Sequence, residues 1–452
     1  MSTADDTGAY ARRRGELLAA LRRQASVAAP LRLAKRTSNL FRDRQDGLVR
    51  RLDLGAFDHV LGVDTAAGTV QAEGCATYEA LVQATLAHGV MPAVVPQLKT
   101  ITVGGAVAGV GIEATSFRQG LVHHTLQELD VLLPGGSIVT CTPRNEHRDL
   151  FFGFPNSYGS LGYALRLVLR TLPVKSFVRA EHRAFDEPAA FFGALAEASV
   201  GDADFVDGVV FGPRSLVLNL ARFEDGAQGA SDYTMARIYY RSLLEKPLDH
   251  LTVQDYIWRW DTDWFWCSRN FGAQNPMLRR LLGRERLNSR TYSRLMRFNA
   301  RWGLTKRWAR WHGVHQESVI QDVDIPIANA AAFLAFLMRE IGILPVWICP
   351  VRAPESDGVF ALYPLRAGTL YVNFGFWDVV QAREPHEAGH FNRLVEQEVT
   401  RLGGIKSLYS DSYYTRTEFD RAYGAAYYAP LKARYDPDGL APDLYQKCVL
   451  RR

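Results

Sequence analysis

The segment "VVPQLKTITVGGAVAGVGIEATSFRQG", Val94 to Gly120, limits what this chain can build more than any other stretch. Glycines stand at 104, 105, 109, 111 and 120, and only alanine and valine fill the gaps between the first four. So little side chain lets the backbone approach a neighbour or a phosphate closely. One reading takes "GVGIEA", Gly109 to Ala114, as a dinucleotide fingerprint. Its surroundings argue against it. Gly104 and Gly105 interrupt the strand that should lead in, and Gly120 cuts short the helix that should follow. Asp130 lies at about the right distance for a ribose contact, yet it precedes "VLLP" instead of ending a strand. A phosphate loop of the Gly-Lys-Ser/Thr kind is absent from the sequence. The other reading starts one turn earlier. "TVGGAVAG" is one or two turns of helix capped by Thr102. Free amides at its start suit an anion, and its small residues suit a flat ring and a diphosphate. A tightly packed glycine turn between two sheets remains the alternative on the residues alone.

The flanking patterns are those of an α+β chain. Residues 8–24 carry Leu17, Leu18 and Leu21 among arginines, an amphipathic helix. "PLRLAKRTSNLFRDR" reads as a short strand running into a polar turn. "HVLGVDTAAGTVQAEG" is strand, turn, strand, and "TYEALVQATLAHGVM" is a helix stopped at Gly89. "VHHTLQELDVLLPGGSIVTCT" is a hairpin turning at Pro134-Gly135-Gly136. "YALRLVLRTLPV" alternates Leu165, Leu167 and Leu169 against Arg166 and Arg170, a strand with one buried face. Five cysteines, at 75, 141, 267, 349 and 448, lie far apart without any C-x-x-C pair. They read as reduced thiols in the cytoplasm, with no zinc site expected. The first residues, "MSTADDTGAYARRR", lack the apolar core of a signal peptide, and no run of eighteen apolar residues would cross a membrane.

Residues 256–315 differ in kind. Seven of the nine tryptophans lie there: Trp258, Trp260, Trp264, Trp266, Trp302, Trp308 and Trp311. From Met277 to His312 there are ten arginines, one lysine and the single acid Glu285. The net charge of the whole chain is only +5, so the basicity is local. Nucleic-acid binding finds no recognised module here. A solvated helical face with buried indoles is one reading. The favoured one is an anionic membrane surface, indoles at headgroup level and arginines on phosphates.

"PQLKTITVGGAVAGVGIEATSFRQGLVHHTLQELDVLLPGGSIVTCTP" followed by "DLFFGFPNSYGSLGYALRLVLRTLPV" resembles the PCMH-type FAD-binding domain of the vanillyl-alcohol-oxidase superfamily. Within it the chain is most similar to the 24-dehydrocholesterol-reductase-like proteins and, at "LRLAKRTSNLFR", to the bacterial reductases of 10-methylene fatty acyl chains. The likeness resumes at "LPVWICPVR", "LYVNFGFWD" and "SLYSDSYYTRTEFDRAYG". It implies a domain at 1–178 for FAD, made of two small α/β subdomains. A substrate or cap domain with an antiparallel sheet would follow at 179–408, carrying the insert at 256–315. A segment at 409–452 would return toward the FAD domain. By position, Lys35, Arg36, Thr37, Ser38, Asn39 and Leu40 match the first flavin-contacting loop. Pro96, Gln97, Thr102, Val103, Gly104, Gly105, Ala108 and Gly111 match the second, and Ser116, Gly159, Ser160, Gly162 and Tyr163 match later contacts. The first loop lacks histidine, so a non-covalent flavin is expected.

The activity implied is reduction of an isolated carbon–carbon double bond in a lipid, with NADPH as electron donor. The leading substrate is a methylene-branched fatty acyl chain on a phospholipid, with a lipid methyltransferase as functional partner. A sterol side chain is the second choice, and an oxygen-using oxidase or a non-catalytic lipid-binding flavoprotein the others. The expected location is cytoplasmic, on the inner face of the membrane. An isolated alkene is a poor hydride acceptor, so an acid must protonate it. Glu113 in "GIEATS" is the first choice, since a carboxyl beside flavin and lipid would have its pKa raised by desolvation. A loop carboxylate is its bland alternative. His124 is a reserve, facing away from His123 if both lie on a strand. Tyr409, Asp411 and Tyr413 are further reserves, sharing one face of "LYSDSYYTR" if that segment is a strand.

Overall fold

The computed structural model describes residues 3–23, 31–34, 50–235, 237–302, 315–355, 358–382 and 384–451. Lys35 to Leu40, matched to the first flavin loop, lie outside the described residues, as do Trp308 and Trp311.

Two sheets organise the chain. The first contains β3 (Val60–Asp64), β4 (Thr69–Glu73), β5 (Val90–Pro92), β6 (Leu126–Leu132), β7 (Ile138–Cys141) and β8 (Tyr163–Pro173). Its order is β3-β4-β8-β6-β7, all antiparallel, with β5 on the far end of β8. A separate parallel pair joins β1 (Leu31–Leu33) to β2 (Arg50–Leu52). The leucine alternation in β8 is what fixes its orientation. Leu165, Leu167 and Leu169 are fully buried, and Arg166 on the opposite face reaches Asp130 on β6 at 3.0 Å. The N-terminal helix, Thr3–Arg23, lies against this sheet through that same acid. Tyr10 donates its hydroxyl to Asp130 at 2.7 Å, and Arg13 pairs with the buried Glu73. Asp130, spaced for a ribose, is therefore consumed by Tyr10, Arg166 and Thr140.

The second sheet has eight strands: β9 (Phe177–Phe185), β10 (Phe205–Gly212), β11 (Ser215–Glu224), β12 (Leu248–Thr252), β13 (His315–Pro326), β14 (Val346–Arg352), β15 (Leu370–Ala382) and β16 (Ile405–Lys406). The order is β12-β9-β11-β10-β14-β15-β13-β16, again antiparallel. Strands from 60 to 173 thus build one sheet and strands from 177 to 406 the other, an α+β architecture. The C-terminal helices Arg416–Ala422, Ala425–Tyr435 and Leu444–Cys448 come back to the first unit. Tyr427 donates to the Asp149 carbonyl, Lys432 to the Ser160 carbonyl, and Tyr435 to the Asp149 carboxylate.

Three local expectations are corrected. Val122–Thr125 is a turn of 3-10 helix, not strand, so His123 and His124 do not point apart; their ring centres lie 4.4 Å from each other, tilted by 34°. The segment after β16 is irregular to Thr415, so Tyr409, Asp411 and Tyr413 share no strand face. Trp258, Trp260, Trp264 and Trp266 are all buried; Trp260 and Trp266 meet edge to face and pack on Tyr239, Phe265 and Trp377, while Trp264 stacks on Tyr292. They are core, not a headgroup belt. The large apolar side chains that do stand in solvent here are Met277 and Leu281, 80% and 78% exposed, on the helix Pro276–Leu282, and Leu295 on Ser289–Trp302.

Candidate active site

A cavity of about 970 Å³ lies between the two sheets, at the upper end of the size range of small-molecule sites. The glycine segment forms one wall. As the sequence indicates, a helix, Val103–Ala108, starts after Thr102. Its close approach to the sheet needs Gly104: an added Cβ would stand 2.8 Å from the Gly74 carbonyl oxygen. Gly105 faces the other way, exposed and lining the cavity. The first two amides of the helix are engaged within the protein. Val103 N donates to the Ala76 carbonyl and Gly104 N to the Gly74 carbonyl, so these two amides anchor the helix. A second bare stretch comes from "FPNSYGSLGY". Asn156 and Tyr158 adopt left-handed backbone without being glycine, a conformation that costs free energy and concentrates at functional sites. It brings Tyr158, Gly159, Gly162 and Tyr163 to the cavity.

Of the residues matched to flavin contacts, Pro96, Gln97, Thr102, Gly104, Gly105, Ala108, Gly111, Gly159, Gly162 and Tyr163 line this cavity. Val103, Ser116 and Ser160 do not. Val103 is packed in the core, the Ser116 hydroxyl accepts from Glu113 N, and the Ser160 hydroxyl donates to Ser157 O. Both side-chain amide atoms of Gln97 are buried without a hydrogen bond of good geometry inside the protein. A bare glycine wall with an unsatisfied amide beside it fits a flat, polar-edged cofactor.

Residues 9–142 match the family described as FAD binding domain. The chain carries an FAD-binding domain. Beyond it, the chain is 26% identical to a Delta(24)-sterol reductase of Homo sapiens over 408 residues, 86% of this chain and 75% of the relative. It is 23% identical to a Delta(24)-sterol reductase of Arabidopsis thaliana over 440 residues, 88% of this chain and 76% of that one. A cytokinin dehydrogenase of Oryza sativa is 33% identical over 150 residues, 32% of this chain and 28% of the relative. The long matches run well past the FAD-binding domain, into the sheet that closes the cavity.

That second wall holds the chemistry. Alternate residues of β13, Gln316, Ser318, Ile320 and Asp322, point into the cavity, as do Trp377, Val379 and Gln381 of β15. Asp322 pairs across the sheet with Gly375. A Cβ on Gly375 would come 2.6 Å from the Trp377 ring and 2.8 Å from Asp322 Oδ1, so glycine there lets the indole lie beside the acid. Trp377 Nε1 donates to the Tyr409 hydroxyl at 2.8 Å. Tyr409 reaches this point because Ser407 N donates to the Asp322 carbonyl at 2.9 Å and ties the segment to β13. Burial pushes the Asp322 pKa up to about 7, against a hydrogen bond from Tyr409 and with Asp324 adding its charge. Phe265, Trp347 and Trp264 complete an aromatic wall. Trp264, Phe265 and Trp266 all have left-handed backbone.

The other expected acids fall away from the cavity. Glu113 is 3% exposed and belongs to a buried cluster. Arg259 reaches it at 3.2 Å and Asp207 at 2.9 Å, and Trp347 Nε1 also donates to Asp207. Burial raises the Glu113 pKa to about 7 although Arg259 opposes it. The desolvation argument was sound, but the side chain turns into the contact between the sheets. His124 accepts from Leu121 N through Nδ1, and burial holds it neutral with a pKa near 3. Asp411 lies 3.5 Å from Arg451, and Tyr413 accepts from the same guanidinium at 3.0 Å; neither lines the cavity. Of the reserves only Tyr409 does. Asp322 escaped sequence reasoning because "QDVDIP" looks like any polar-apolar strand. The available signal was two acids at alternate positions of one strand, both forced to the same buried face.

Glu113→Gln should therefore keep its flavin and its rate of flavin turnover. It should lower stability by about 1–3 kcal/mol, the cost of weakening a buried charge-assisted hydrogen bond. Thermal melting and stopped-flow absorbance on one preparation read both.

Proposed function

We propose that the protein is an FAD-dependent reductase of an isolated carbon–carbon double bond in a lipid. The observation that carries this reading is the buried carboxyl of Asp322, held among aromatic rings across the cavity from the glycine wall. When bound, FAD supplies hydride chemistry; the chain's own residues orient the alkene, exclude water and hold a proton. An aromatic wall suits this, because protonating an alkene creates positive charge that ring faces stabilise. The long match to Delta(24)-sterol reductases supports the reaction class. NADPH is the donor proposed.

For substrate, we take a methylene-branched acyl chain on an anionic lipid as the first choice. Lys99 and Arg294 line the cavity on its insert side, beside Arg290, which pairs with Glu79, and the two cations favour an anionic headgroup over a neutral sterol. This choice requires a methyl-transferring enzyme to build the branch. A sterol side chain is the second choice, supported by the relatives' names.

The same insert supports work at an anionic lipid surface. Met277, Leu281 and Leu295 are exposed beside Arg280, Arg284, Arg290 and Arg294. Leu282 and Met296, from the same two helices, pack in one cluster with the cavity-lining Trp264. No helix among the described residues is long and apolar enough to cross a membrane. Co-sedimentation with vesicles containing phosphatidylglycerol should fall as salt rises, and Met277→Glu with Leu281→Glu should abolish it. Binding unchanged by that pair would remove the surface reading.

The functional test is anaerobic. NADPH should bleach the flavin, and a methylene-branched acyl phospholipid should restore its colour. Bleaching by an alcohol, with oxygen uptake in air and indifference to NADPH, would identify an oxidase instead.

A further inference from the structure

We infer that Asp322 is the proton donor to the substrate alkene, positioned by Tyr409 and Trp377. The inference rests on the reductase reading above and names the residue that makes it chemically feasible.

Geometry selects Asp322 from the acids near the cavity. Asp324, two residues on, is satisfied: Tyr363 donates to its Oδ2 at 2.8 Å and Asn373 to its Oδ1 at 3.0 Å. Asp378 also lines the cavity but is bound by Arg269. Asp322 differs, because its Oδ1 is buried without a hydrogen-bond partner while the residue itself lines the cavity. A buried oxygen left unpaired is costly if ionised, so the carboxyl favours its protonated form beside the cavity that the residue lines. The support behind it is directional. The Trp377 N–H donates to the Tyr409 oxygen at 2.8 Å, and the tyrosine hydroxyl in turn hydrogen-bonds the Asp322 carboxyl. Gly375 leaves the room in which Trp377 and Asp322 meet. Burial keeps the carboxyl protonated to about neutral pH, which suits a general acid working there.

The step balances. The alkene π pair takes the Asp322 proton and forms one new C–H bond. The neighbouring carbon becomes electron-deficient, and FAD bound in its reduced form would supply the hydride that completes it, ending oxidised by two electrons. The substrate gains two hydrogens, and the Asp322 carboxylate regains its proton from solvent. Trp377, Phe265 and Trp347 line the same cavity, and their ring faces would stabilise the transient positive charge.

Asp322→Asn tests this. It keeps the shape and removes the proton. FAD loading and NADPH-driven bleaching should match wild type, while lipid-dependent reoxidation slows by about 10²–10⁴-fold. An independent readout needs no turnover. The infrared band of a protonated carboxylic acid should titrate near neutral pH in wild type and be missing in Asp322→Asn. Titratable groups facing Asp322 are Asp324 on its own strand, Tyr363, and Tyr409 with Tyr158 behind it. Tyr409→Phe removes a hydrogen bond that favours the charged form, so the band should titrate at higher pH than in wild type. Reoxidation of Asp322→Asn at the wild-type rate, or an infrared band that survives it, would overturn the assignment alone. Loss of flavin in both Asp322→Asn and Asp322→Glu would also overturn it, by making the residue structural. Wild-type protein that no alkene lipid reoxidises would instead bring down the reductase reading.

Discussion

Arg259→Met is expected to destabilise the protein by about 3–5 kcal/mol, the cost of removing one partner from a buried charge cluster. Arg259 is 2% exposed and faces both Glu113 and Asp207. Its Nη1 also donates to the Tyr256 carbonyl at 2.9 Å, and its guanidinium lies 4.0 Å from the centre of the Tyr256 ring. Methionine keeps the apolar stem and leaves two carboxyls buried without a cation. Because Glu113 belongs to the FAD-binding half and Asp207 to β10, the loss should loosen the contact that closes the cavity. Flavin affinity should then fall together with the melting temperature. Combining Arg259→Met with Glu113→Gln and Asp207→Asn should recover much of the loss, since no buried charge remains. Denaturant unfolding of the single and triple variants measures this. A single variant within about 1 kcal/mol of wild type would show that the cluster is not buried in solution.

The second large effect separates two adjacent glycines. Gly105→Val should yield a folded but colourless protein, because the new side chain enters the cavity that Gly105 lines. Gly104→Val should both lose flavin and destabilise the fold. Its Cβ would lie 2.8 Å from the Gly74 carbonyl oxygen and 3.2 Å from Ala164 Cβ, so the whole helix must move. Flavin absorbance per mole of protein, beside the melting temperature of each variant, distinguishes them. Full flavin content in Gly105→Val would mean that the cofactor does not lie on this helix.

Much of this arrangement was legible in the residues. Periodicity located β8 and its buried leucines, the Pro134 turn and the glycine helix, because each depends on neighbours a few positions away. Ten of the residues matched by position to flavin contacts line one cavity for the same reason: they sit on short, contiguous stretches. Long-range pairing was not legible. Glu113 meets Arg259 across 146 residues and Trp377 meets Tyr409 across 32, and no local pattern encodes either. The tryptophans show the same limit. Interleaved with arginines they resemble a surface belt, yet the chain folds back at left-handed Trp264, Phe265 and Trp266 and buries them. The arginines divide likewise, Arg259 and Arg279 turning inward while Arg290 and Arg294 stay out.

The most direct measurement of the central claim is a single anaerobic turnover. Protein carrying fully reduced FAD is mixed with a methylene-branched acyl phospholipid, and flavin absorbance and lipid mass are followed together. The account predicts that each flavin reoxidised yields one lipid heavier by two hydrogens, with its double bond gone. Flavin that stays reduced until air is admitted, with the lipid and a sterol side-chain alkene both unchanged, would contradict it.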